Sequence, residues 1–116
     1  VKYENPCEWF KIGNKDYNKC FKKTRYYSLN GKKDLTGTIN VKAKKGWKLK
    51  KIKTLNMYDG EKKVKNRSKI VVSTKGTGTA VYAYFKNVKT GVEQWMCLGY
   101  GYDWGYPGNI SENRYY

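Results

Sequence analysis

The chain has 116 residues, enough for one domain with a modest core and too few for two ordinary ones. It carries 25 Lys and Arg against 9 Asp and Glu, for a formal net charge of +16, and it has no histidine. The commonest general base and metal ligand is therefore missing, no G-x-S-x-G, P-loop or S-x-x-K pattern occurs, and no apolar run approaches the length of a membrane span. These absences argue for a non-catalytic protein without a cofactor.

The charge is concentrated. Residues 31 to 75 hold fifteen basic and three acidic side chains, net +12, whereas residues 76 to 116 hold three of each. A basic middle followed by a neutral, aromatic last third points to an anionic partner for the middle: an anionic polymer, an acidic protein surface, nucleic acid or an anionic membrane. Only Arg25, Arg67 and Arg114 are arginines. Specific readers of phosphate or guanine favour the planar guanidinium fork, so lysine dominance points to diffuse, salt-sensitive attraction.

In chain order, the N-terminal 1–30 is an aromatic segment. Its stretch "CEWFKIGNKDYNKCFKKTRYY" fits neither the helical nor the strand period and accommodates a short helix, an irregular loop or a first strand. Cys7 and Cys20 are close enough to staple it with a disulfide, which would suit an extracellular setting; the alternative is reduced thiols. With Cys97 they form no C-x-x-C pair and cannot complete a four-ligand zinc site without histidine, so no metal is expected. A chain that opens on Val is also compatible with removal of a leader.

From Leu35 onward the period is two. "TGTINVKAK" at 36–44 places Ile39, Val41 and Ala43 on one face and Lys42 and Lys44 on the other. Lys45-Gly46 reads as a turn, after which Trp47 and Leu49 oppose Lys48 and Lys50, so the two segments are predicted to form a hairpin. Lys42, Lys44, Lys48 and Lys50 would then share one exposed face, a like-charge arrangement that an anion would relieve; lysines also guard exposed strand edges against aggregation. Lys51 breaks the alternation and predicts a bulge or strand end. "YDGEKK" at 58–63 reads as a turn. Lys62, Lys63, Lys65 and Arg67 extend the positive zone.

"KIVVS" at 69–73, "TAVYAYFKNV" at 79–88 and "VEQWMCLGY" at 92–100 are predicted strands separated by short glycine-containing turns, with Cys97 a core residue. Five such strands give an all-β, antiparallel immunoglobulin-like β-sandwich over residues 1–116, with a small β-barrel as the alternative. Tyr100, Tyr102, Trp104 and Tyr106 alternate along the following segment. They are candidate stacking residues for sugar rings or bases, or they are strand residues packing on the N-terminal aromatics. Residues 108–116 read as a frayed tail. Asn66-Arg67-Ser68 and Asn109-Ile110-Ser111 match the glycosylation acceptor pattern, at a frequency close to chance.

The block carrying "TGTINVKAKKGWKLKKI", "KIVVSTKGTGTAVYAYFKN" and "TGVEQW" resembles immunoglobulin-like modules of bacterial cell-surface and secreted proteins, over residues 35 to 98. It lacks the Cys, Trp, Cys framework of antibody-type domains. The resemblance implies an adhesive or spacer role without catalysis, outside the cell or at its surface, and carries no functional residues over. The expected function is thus a secreted or cell-surface binding or structural module with a lysine-rich face for an anionic polymer or acidic partner. The alternatives are a small secreted cationic effector, membrane-active or inhibitory toward a host, and a nucleic-acid-binding barrel.

Overall fold

A computed structural model describes residues 4–29, 31–76 and 78–101. Nine strands occur among them: β1 (Cys7–Ile12), β2 (Lys15–Asp16), β3 (Tyr26–Leu29), β4 (Leu35–Ala43), β5 (Trp47–Asn56), β6 (Gly60–Val64), β7 (Lys69–Val72), β8 (Thr79–Asn87) and β9 (Glu93–Tyr100). The one helix among the described residues is a single 3₁₀ turn, Asn18–Phe21. Among the described residues no helix is long and apolar enough to cross a membrane.

The strands form two sheets, one ordered β2-β1-β4-β7 and the other β3-β9-β8-β5-β6. Neighbours are antiparallel except β3 and β9, which run parallel. The two sheets pack face to face as an all-β sandwich. The sheets are held together by alternation. Phe10, Ile12, Ile39 and Val41 from the first sheet meet Ile52, Val81, Phe85, Met96 and Leu98 from the second, each 2% exposed or less. Period-two patterning makes this face continuous because every second side chain of each strand points inward.

Two of the strand readings differ from the structure. β4 and β5 do not form a hairpin: β4 pairs with β1 and β7, β5 pairs with β6 and β8. The Lys45-Gly46 turn instead carries the chain from one sheet to the other. Alternation tells which face a residue occupies, not which strand lies beside it, so both arrangements satisfy the same pattern. Second, "YDGEKK" is only partly turn. The chain turns at Met57–Asp59 and strand β6 begins at Gly60, giving the β5–β6 hairpin.

The slip at Lys51 is a bulge. Leu49 faces Phe85 and Lys51 faces Tyr84, so Lys50 is the extra residue on β5. Without it Ile52 would point outward; with it Leu49 packs against the core and Ile52 lies within it. The N-terminal segment is built from both a strand and a short helix. β1 carries its own register shift between Cys7 and Trp9, which hides its period in the sequence.

Cys7 and Cys20 are free thiols, not a disulfide. The Cys7 side chain points inward from β1 and its Sγ donates to the Trp9 carbonyl at 2.9 Å. Burial pushes the Cys7 thiol up to about 12, with Asp16 adding to the effect. Cys97 is fully buried, but its register sets it in the outer row of the five-stranded sheet between Tyr82 and Tyr26 and not in the core between the sheets.

Candidate basic and aromatic site on the five-stranded sheet

The predicted lysine zone is divided between opposite sides of the sandwich. Lys42 lies on the outer face of the four-stranded sheet, with its Nζ 4.8 Å from the Trp9 ring; Lys11 sits at the same distance from that ring. Trp9 Nε1 donates to Asn40 Oδ1, which fixes the indole between the two ammonium groups. Lys44 is exposed just beyond β4, where its N–H donates to the Pro6 carbonyl. Lys48 and the bulged Lys50 belong to the other sheet. Lys62 and Lys63 are exposed on β6, and Lys65 and Arg67 occupy the turn after it, Arg67 at a φ of 65°.

The like-charge contacts are therefore different from those expected. Lys48 faces Lys86 across β5 and β8, and Lys53 faces Lys63 across β5 and β6. Such pairs cost a few tenths of a kcal/mol each, on the order of cross-strand terms. Lys53 is partly compensated by an ion pair with Glu61. The bond to Glu61 raises the Lys53 ammonium above its ordinary value and holds the Glu61 carboxyl below its own.

Register resolves the outer face of the five-stranded sheet into rows that cross the strands. One row is basic, with Lys48 and Lys86 beside Glu93. The next places Lys51 beside Tyr84 and Tyr84 beside Trp95. Arg25 completes it: its carbonyl accepts from Cys97 N–H and its guanidinium lies 4.5 Å from the Trp95 ring. Lys51 Nζ lies 4.7 Å from the Tyr84 ring, and the Tyr84 and Trp95 rings are 6.3 Å apart. The third row runs Lys63, Lys53, Tyr82, Cys97, Tyr26. A fourth, of Glu61, Leu55, Ala80, Gly99 and Ser28, is made largely of small residues.

Between these rows lies a groove of about 420 Å³, lined by Tyr26, Leu55, Glu61, Tyr82, Tyr84 and Trp95. Its rings are half-buried, and the Tyr82 and Tyr84 rings stack at 6.2 Å. Cations over ring faces, as at Tyr84 and Trp95, are attracted by the ring quadrupole and held in place.

None of the groove residues stood among the candidates read from the sequence. Tyr82, Tyr84 and Trp95 alternate visibly within their strands, but they become neighbours only through register. Of the candidate stacking residues, Tyr102, Trp104 and Tyr106 lie outside the described residues. Tyr100 is not an open platform. It packs against the core and its hydroxyl donates to the Lys33 carbonyl at 3.0 Å. Gly31 makes room for that ring: a Cβ there would lie 2.1 Å from the ring carbon Cζ. No family model, curated protein or solved structure matches the chain.

Proposed function

We propose that the chain is a non-catalytic binding or structural module of the cell surface or extracellular space, which uses a lysine-rich face against an anionic polymer or acidic partner. The observation that carries this reading is the outer face of the five-stranded sheet. Lys48, Lys51, Lys53, Lys63 and Lys86 stand there against two carboxylates, Glu61 and Glu93, and two pairs of lysines face each other directly. A face selected for stability alone would mix signs across strands. An anion laid over the lysine pairs removes their repulsion, so binding and relief of that cost coincide. The likeness to bacterial surface modules supports the same reading, and lysine rather than arginine favours charge-driven association over sequence-specific recognition.

The test separates the two sides of the sandwich. Replacing Lys48, Lys50, Lys63 and Lys86 with Gln should abolish retention on a heparin or teichoic-acid column at physiological salt. Replacing Lys11, Lys42 and Lys44 should leave most of it. Equal loss from both sets would mean that net charge alone is responsible, and unchanged retention of the first set would sink the proposal.

A further inference from the structure

The basic rows account for attraction to any polyanion, but they do not account for two aromatic rings held between two cations. We propose that the row Lys51, Tyr84, Trp95, Arg25, together with the groove beside it, is a subsite for the sugar rings of an acidic glycan lying across the strands. This rests on the polyanion reading above and specifies its ligand.

The spacing supports it. Lys51 on β5 and Arg25 just before β3 are separated by three inter-strand steps, roughly 14 Å at the usual sheet spacing. A polymer that alternates ring units with acidic groups can set its carboxylates or sulfates on the end cations while its rings lie along the Tyr84–Trp95 row and in the groove beside it. The cations are prepositioned, since each already sits against a ring face. Arg25 adds a planar fork suited to a carboxylate or sulfate.

The groove chemistry favours a glycan over single-stranded nucleic acid. Glu61 lines the groove and is kept ionised by Lys53. A carboxylate there repels any polyanion, but a pyranose unit offers it free hydroxyls as hydrogen-bond donors, which a deoxyribose phosphodiester unit lacks. The carboxylate accepts hydrogen bonds from such hydroxyls, and Tyr84 lines the same space.

The experiment compares polyanions at one salt concentration and at equal concentration of anionic groups. Polygalacturonate and heparin carry rings with acidic groups; polyphosphate and polyglutamate are ringless anions; an oligothymidylate represents nucleic acid. The wild-type protein should bind the acidic glycans about ten-fold more tightly than the ringless polymers, in keeping with the size of aromatic stacking terms. Trp95→Leu and Tyr84→Leu should each lose most of that difference while leaving polyphosphate binding unchanged. Trp95→Tyr should restore it, which separates loss of the ring from loss of the fold, and circular dichroism checks each variant.

Equal binding of ringed and ringless polymers, untouched by Trp95→Leu, would overturn the glycan subsite and leave the polyanion reading standing. Failure to bind any polyanion would overturn both. Tighter binding of the oligothymidylate than of either glycan, with the same dependence on Trp95, would reassign the row to nucleic acid.

Discussion

At the scale of single residues, Asn56 at the end of β5 joins three segments. Its Oδ1 accepts from the N–H of Tyr58 and of Asp59, and its Nδ2 lies within 3.0–3.2 Å of the Lys75 and Gly78 carbonyls and Thr79 Oγ1. The side chain is 3% exposed. Asn56→Ala strands those backbone groups, and chemical denaturation should show a loss of about 2–3 kcal/mol. Asp34 gives a pH-dependent counterpart. Thr74 N–H and Oγ1 both donate to it at 2.9 Å, and this holds its carboxyl below the ordinary range. A lowered folded value means that its stabilisation is present above the unfolded value, about 3.9, and disappears as pH falls through the folded one. Asp34→Asn should therefore lower the melting temperature at pH 6, and the difference from the parent should shrink as pH falls below the ordinary carboxylate range. The free thiols make a third prediction. Half-exposed Cys20 should react with an alkylating reagent in the native protein, buried Cys7 and Cys97 only on unfolding, and non-reducing mass spectrometry should find no bridge.

At the scale of elements, the β5 bulge can be removed cleanly. Deleting Lys50 leaves Trp47, Leu49 and Ile52 in strict alternation with their present β8 partners, so the protein should keep its fold with stability within about 1 kcal/mol of the parent. Deleting Lys53 instead turns Leu55 inward and Asn56 outward, and thermal melting should show a non-native or strongly destabilised chain. Gly37 on β4 is a point of close approach: a Cβ there would lie 2.7 Å from Gly13 N. Gly37→Ala should cost about 1–3 kcal/mol, since both contacting groups are backbone.

Strands β4, β5, β7 and β8 could be read from alternation because each has one buried face, whereas β6, exposed at every position but its last, reads as turn. Ile39 and Val41, Trp47 and Leu49, and Val81, Ala83 and Phe85 announce the inward side directly. β1 could not be read so, because the shift between Cys7 and Trp9 moves its pattern out of phase. β3 has only four residues, too few to display a period. The groove was illegible for a different reason. Its members come from five strands and from sequence positions as distant as Tyr26 and Trp95, and pairing between strands is set by the packed molecule, not by neighbouring residues.

At the scale of the whole molecule, the sandwich distributes its lysines to both outer faces, while only the five-stranded sheet combines them with a row of rings. Attraction at a distance and contact at short range should thus respond to different perturbations. Raising salt should weaken binding to every polyanion by screening the lysines, whereas the preference for ringed polymers over ringless ones should survive. Affinities measured across a salt series for both polymer classes check this.

The parallel pairing of β3 with β9 has a mechanical meaning. Tyr26 faces Cys97 and Leu29 faces Tyr100, so a pull applied between Tyr26 and Tyr100 would act on opposite ends of this pair. The load then falls on the whole set of inter-strand hydrogen bonds at once, including Cys97 N–H to the Arg25 carbonyl and Gly101 N–H to the Leu29 carbonyl, and cannot peel them one by one. A load applied across this pair is resisted in shear at this seam, the β3 edge of the five-stranded sheet.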